Sequence, residues 1–407
     1  MYWTIHLEGG PRRVNHAAVS VGTNVYSFGG YCTGDNYGHC KPIDCHILDT
    51  ETLRWRPCLP SRLKARQQLQ QQSFAEFDPH ESNIPFQRYG HTVVVNGDLI
   101  YLWGGRNDNC ADDTLYCFDT ASGEWLDRPK VSGRIPGARD GHTAVSIDNK
   151  MYIFGGYEEL TERFSNDIYV LDMTTFVWKY VTASGQPPTW RDFHSAVAYE
   201  DRMYVFGGRS DRSGPNHSQH EVYCNELMYF NTTTNTWIKP SVTNQSSSQP
   251  PPCGRRSHSS FVYQNMIYIF GGYNGLDRQH FNDLYQFDPR RQVWSLVDVR
   301  GRHRPCARRR QCCCVVGDRL YLFGGTSPYP ASLCQTYALP QMIDVSLRDH
   351  SDLYVLDFKP TLKTLTILVA IDKELIRSYL PKNIQLDIEM MTRDNNVNRD
   401  RSSPNQG

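Results

Sequence analysis

The residues of this chain best equipped to recognise a ligand stand at fixed offsets from six Gly-Gly pairs. The pairs are Gly29-Gly30, Gly104-Gly105, Gly155-Gly156, Gly207-Gly208, Gly271-Gly272 and Gly324-Gly325. Directly after them come Tyr31, Arg106, Tyr157, Arg209, Tyr273 and Thr326. Upstream of each pair two adjacent positions also vary: Val14-Asn15, Tyr89-Gly90, Asp140-Gly141, Asp192-Phe193, Arg256-Ser257 and Arg309-Arg310. Cationic and hydroxyl groups gather in the later copies, as Arg209, Arg212, Arg256, Ser257, Arg309 and Arg310, whereas Asp140 and Asp192 belong to the third and fourth. A guanidinium binds a carboxylate through two parallel hydrogen bonds, and a neighbouring hydroxyl can add a third. The chemistry expected is therefore recognition. Arg209, Arg256 and Ser257 are expected to hold a carboxylate, with Arg212 and Arg310 in support. Asp140 and Asp192 are expected to take a basic residue further along the ligand. Tyr157, Trp190, Phe193 and Tyr273 would wall the pocket. The C-terminus of a polypeptide is a natural carboxylate for such a site.

The elements that must position these residues are repeated strands. Each Gly-Gly pair closes an apolar run such as MYIFGG or IYIFGG, and the pairs recur roughly every fifty residues, a propeller-like period. Alternating runs such as IYVLD and LYQFD follow, as expected of half-buried strands. At one upstream position stand His16, His91, His142, His194, His258 and Gln311, and three residues earlier Arg13, Arg88, Arg139, Arg191, Arg255 and Arg308. A residue type present in nearly every copy serves the fold first, so these arginines and histidines are read as structural. Trp55, Trp125, Trp178, Trp237 and Trp294 recur after the alternating runs, but Lys363 stands where the sixth is due. Trp3 supplies the missing copy if residues 2–7 form the outer strand of the last blade. That closes an all-β ring with strands from both termini and leaves few free edges.

Composition narrows the class. Lys and Arg together equal Asp and Glu together, at 43 each, so bulk attraction to nucleic acid is not indicated. The thirteen cysteines form no secretory framework, which fits reduced thiols in the cytoplasm or nucleus. No apolar run is long enough to span a membrane, so no membrane association is expected. Nucleophile elbows, phosphate loops and standard zinc spacings are absent, and Cys312-Cys313-Cys314 falls on a strand where neighbours face opposite sides. Cys32, His39, Cys40, Cys45 and His46 have ligand-like composition but match no standard site. No catalytic residue, metal or cofactor is expected.

The register of Gly-Gly pairs, histidines and spaced aromatics resembles the kelch repeat, and the resemblance covers residues 1–358. It implies a six-bladed kelch β-propeller whose variable loops line one mouth of the central channel. Residues 359–390 fall outside the repeat. There Leu362, Leu365, Leu368 and Val369 recur at helical spacing, and Leu380-Pro381 separates a second apolar stripe carrying Ile384 and Ile388. With no core to cover, such a helix pair is read as a partner surface. The run Thr361-Leu362 to Thr366 to Ala370 resembles the BC box that binds elongin C, except that Thr366 stands where Cys is usual. Leu380, Pro381 and Ile384 resemble the cullin-2 box. In that order after a kelch ring, the two resemble kelch domain-containing substrate receptors of cullin-2 ubiquitin ligases. The resemblance implies elongin B/C and cullin-2 as partners and proteins ending in Gly as substrates; a pocket closed on the last Cα leaves no room for a Cβ. A non-ligase kelch interaction scaffold, for example on chromatin, is the alternative. Residues 391–407 read as a disordered tail. Its terminal Gly407 is a candidate ligand for the same pocket, and so a route to self-association.

Overall fold

The computed structural model describes residues 1–38, 40–58, 82–242, 250–329 and 347–397. Six sheets of four antiparallel strands follow one another along the sequence, the third carrying an extra edge strand at Ser132–Gly133. The innermost strands are Ala17–Val21, Thr92–Asn96, Thr143–Ile147, Ser195–Tyr199, Ser259–Tyr263 and Cys312–Val316. Each touches the next, and the last touches the first, so the ring is closed. The N-terminal strand Tyr2–Leu7 pairs antiparallel with Leu353–Asp357 as the outer strand of blade 6, as the Trp3 register predicts.

The aromatic register explains how the blades lock. Each blade's Trp packs on the aromatic residue before the Gly-Gly pair of the preceding blade. Trp125 meets Phe28 at 5.6 Å, Trp178 meets Trp103 at 5.8 Å, Trp237 meets Phe154 at 4.8 Å and Trp294 meets Phe206 at 5.4 Å between ring centroids. Trp55 completes the series on Phe323 at 5.0 Å, and Trp3 on Phe270 at 6.1 Å. Six apolar clusters follow, each shared by neighbouring blades, which is why no blade stands alone.

The repeated polar residues are braces. Arg88, Arg139, Arg191, Arg255 and Arg308 each donate Nη1 to the carbonyl of the first Gly of their own blade. Most also meet an acid, as Arg88 with Asp112 and Arg308 with Asp352. Three of the histidines join blades: His142 Nε2 lies 2.8 Å from Thr92 Oγ1 of the preceding blade, His194 2.7 Å from Thr143, and His258 2.7 Å from Ser195. Burial, with the neighbouring brace Arg, pushes His91 and His258 down to about 3, so both stay neutral. The glycines make room. A Cβ on Gly105 (φ +83°) would lie 2.6 Å from His91 Cβ.

Two helices follow the ring: α1 (Leu362–Asp372), capped by Thr361 Oγ1, and α2 (Lys382–Thr392). They do have a core to cover. Ile367, Ala370, Ile388 and Met391 join a cluster with Ile5, Leu7, Trp55, Phe323 and Leu353. The described part of the expected tail, residues 391–397, is likewise tied down. Asn395 Oδ1 accepts from the Trp55 N–H at 2.9 Å, and Val397 N–H donates to Gly9 O. His39, residues 398–407 and the self-association reading of Gly407 lie outside the described residues.

Candidate functional site at the channel mouth

The three variable loop positions converge as expected. The residue after each Gly-Gly pair exchanges backbone hydrogen bonds with the first upstream position: Val14 with Tyr31, Tyr89 with Arg106, Asp192 with Arg209, Arg256 with Tyr273 and Arg309 with Thr326. Asp140 pairs with Tyr157 on a short strand. The second upstream position forms a closed circle around the axis. N–H groups donate in turn from Asn15 to Arg310 O, Gly90 to Asn15 O, Gly141 to Gly90 O, Phe193 to Gly141 O, Ser257 to Phe193 O and Arg310 to Ser257 O, at 2.8–3.2 Å. All six residues have positive φ, between 48° and 67°. Four of them are not glycine, a strained arrangement that the circle of bonds enforces. This ring floors the mouth, with Phe193, Ser257 and Arg310 lining it.

The predicted arginines divide into two kinds. Arg209 is engaged internally: its guanidinium grips both Asp192 oxygens, and Nη1 lies 3.2 Å from Glu221 and from His217. Against the desolvation of burial, Asp192 and Glu221 raise its pKa, fixing it as a cation. The residues assigned to opposite ends of a ligand, Arg209 and Asp192, are thus each other's partner. Arg212 is exposed on the hairpin beyond. Arg256 and Arg310 are different, and Arg309 joins them. Each has a buried Nε without a hydrogen-bond partner among the described residues. Among the described residues no carboxylate forms an ion pair with any of them. Aromatic faces replace acids. Arg309 stands 4.3 Å above Tyr273, Arg256 lies 5.9 Å from the same ring, and Arg310 lies 5.7 Å from Tyr31 and bonds its hydroxyl. Burial, then repulsion from Arg310 and Arg256, pushes Arg309 down to about 10. Burial and the Arg309 and Arg310 charges push His280 to about 4, so it sits neutral beside Tyr273.

Across the mouth Asp140 is the isolated acid. It is buried, it forms no ion pair among the described residues, and burial followed by repulsion from Asp192 lifts its pKa to about 7. Phe193 and Tyr273 stand against the arginines, Phe193 within 6.0 Å of Arg209. Tyr157 packs its ring on Phe164, and Trp190 accepts Ser210 Oγ at its carbonyl while its own indole N–H is buried without a partner among the described residues. Sequence reading assigned no role to Arg309 or His280. Arg309 shares the Asp140 position and was legible from register; His280 comes from the short strand Gln279–His280, which the repeat does not specify.

The helical residues also divide. Leu362, Thr366 and Val369 share an exposed face of α1, with Leu362 81% exposed. Leu380 and Ile384 are half-buried against the cluster that the helices share with the ring, and Pro381 is exposed at the start of α2.

A closed ring of repeat blades with a charged, variable mouth defines a repeat propeller, and the chain belongs to the kelch repeat family. The KLHDC2/KLHL20/DRC7 kelch-repeats domain matches residues 90–325, and a kelch motif matches residues 12–60. Kelch domain-containing protein 3 of Bos taurus is 48% identical over 402 residues, covering 98% of this chain and 97% of that protein, and the Homo sapiens protein of that name is equally similar. Kelch domain-containing protein 1 of Mus musculus is 30% identical over 276 residues, covering 61% of this chain and 65% of that protein.

Proposed function

We propose that this protein is a non-catalytic substrate receptor of a cullin-2 ubiquitin ligase, capturing proteins by a C-terminal carboxylate at the channel mouth. The carrying observation is the trio Arg256, Arg309 and Arg310, whose buried Nε atoms lack partners among the described residues. Buried donors without acceptors are costly, and an incoming carboxylate removes that cost. Ser257, beside them on the floor, supplies a hydroxyl. Asp140 faces a basic residue upstream in the ligand. The exposed Leu362–Thr366–Val369 face binds elongin B/C, and the start of α2 at Pro381 extends the surface to cullin-2. The receptor contributes proximity between the substrate and a ubiquitin-loaded partner.

The test is fluorescence anisotropy with a Gly-ended peptide as free acid and as C-terminal amide. The expected result is binding of the acid and loss of it in the amide. Equal binding of both removes the carboxylate reading and leaves an interaction scaffold of another kind.

A further inference from the structure

Blade 6 carries a group of side chains that the repeat does not need. In five blades the Nε of the brace Arg donates to the carbonyl two residues upstream: Phe86, Gly137, Thr189, Cys253 and Cys306. Cys253 and Cys306 therefore occupy equivalent backbone positions, and both are exposed. One neighbour distinguishes them. The residue whose N–H bonds the second Gly carbonyl is Phe281 in blade 5 and His350 in blade 6. Phe281 lays its ring 4.0 Å from the Arg255 guanidinium. His350 instead places Nε2 3.5 Å from Cys306 Sγ, with Ser327 Oγ 2.8 Å from the same nitrogen, and turns Nδ1 toward Asp352 at 3.5 Å. Arg308 Nη2 donates to the same sulfur at 3.3 Å and grips Asp352 with two bonds of 2.7 Å. His350 and Asp352 are 7% and 4% exposed, so the framework behind the thiol is fixed.

This is a nucleophile, a base and a group that orients the base, with a cation added. We propose that Cys306 is a nucleophilic thiolate at which small electrophiles and hydroperoxides modify the protein. Toward hydrogen peroxide, the sulfur attacks one oxygen and an S–O bond forms as the O–O bond breaks. The departing hydroxide takes the proton from His350 Nε2 and leaves as water. The sulfur is oxidised to a sulfenic acid and the peroxide is reduced.

The charged and titratable groups around the sulfur are consistent with this. His350 and Arg308 face it directly and Asp352 lies behind both. Tyr354, pushed upward by burial, flanks it, and His6 and Glu8 stand beyond Asp352 and Tyr354. Burial opposes ionisation of the thiol. The His350 hydrogen bond and the Arg308 charge outweigh it and bring Cys306 from 9.0 to about 7.

The experiment is substoichiometric iodoacetamide labelling of the full-length protein between about pH 5.5 and 9.5, read by peptide mass. Blade 5 is the internal control. Cys306 is expected to label about tenfold faster than Cys253 at pH 7, with a midpoint near 7. The His350→Phe variant, which transplants the blade 5 residue, is expected to bring its rate down to that of Cys253. Hydrogen peroxide followed by dimedone is expected to mark Cys306 and leave Cys253 unmarked. Equal rates for the two cysteines in the wild-type protein, or a Cys306 midpoint above about 8, overturn the proposal without reference to any variant.

Discussion

Asp192 holds Arg209 with both of its carboxylate oxygens, and Glu221 takes the remaining side of the same guanidinium. The fold thus sets one mouth arginine aside as structure and leaves Arg256, Arg309 and Arg310 without acids among the described residues. Affinity for a carboxylate ligand should follow that division. Arg256→Ala or Arg309→Ala is expected to weaken a Gly-ended peptide roughly ten- to hundredfold, the worth of a charge-assisted hydrogen bond. Arg209→Ala should act mainly on stability, because it strands the buried Asp192. Anisotropy and thermal unfolding on the same three variants separate the two effects. A larger affinity loss for Arg209→Ala than for the other two would reverse the assignment.

Asp140 should make stability fall as pH rises. Its folded pKa, near 7, lies above the ordinary 3.8 because of burial and then Asp192. Between those values the folded state binds more protons than the unfolded one, so unfolding free energy decreases with rising pH. Asp140→Asn removes the penalty. The variant should match wild type near pH 4 and exceed it in Tm by a margin that grows up to about pH 7 and then levels. A margin independent of pH would mean that Asp140 ionises normally.

Trp3 should behave as a closure residue. Its contacts with Phe270 and Tyr354 make it the sixth member of the inter-blade series, although it lies at the opposite end of the sequence from blade 6. Trp3→Ala is expected to cost about 3–5 kcal/mol, as for any large buried aromatic. Hydrogen exchange should rise first in Leu353–Asp357, whose outer partner is the Trp3 strand. Uniform loosening of all six blades would argue against a local seam.

The ring was legible because it is repetitive. Six copies of Gly-Gly, five of the His and six of the Arg three residues before it set blade number, register and even the use of Trp3. The mouth was half legible. Register brought its residues together but did not say which acid pairs with which arginine. Glu221 reaches Arg209 through a hairpin pairing Arg209–Asp211 with Glu221–Tyr223, and the equivalent hairpins differ between blades, two pairs long at Tyr273–Asn274 and three at Thr326–Pro328. The helices were half legible for a related reason. Leucine spacing pointed to an outward partner surface, and Leu362 and Val369 are exposed, but it did not show that the other side of α1 covers a core with Thr364, Ile367 and Ala370.

That division of α1 leads to a test of the partner surface that does not depend on the mouth. Leu362 is nearly fully exposed, so Leu362→Ser should leave Tm within about 0.5 kcal/mol equivalent of wild type. Ile367 is buried in the cluster under blades 1 and 6, so Ile367→Ser should destabilise the helix pair by several times that amount. If the exposed face binds elongin B/C, Leu362→Ser loses capture while remaining fully folded, and Thr366→Cys retains or strengthens it. Leu380→Ser is a poorer probe because Leu380 already packs on the core cluster, whereas Pro381→Ser alters an exposed residue at the start of α2. Capture of elongin B/C by the wild-type protein that persists in Leu362→Ser would place the contact elsewhere. Failure of the wild-type protein to capture it would leave this apolar face to another partner.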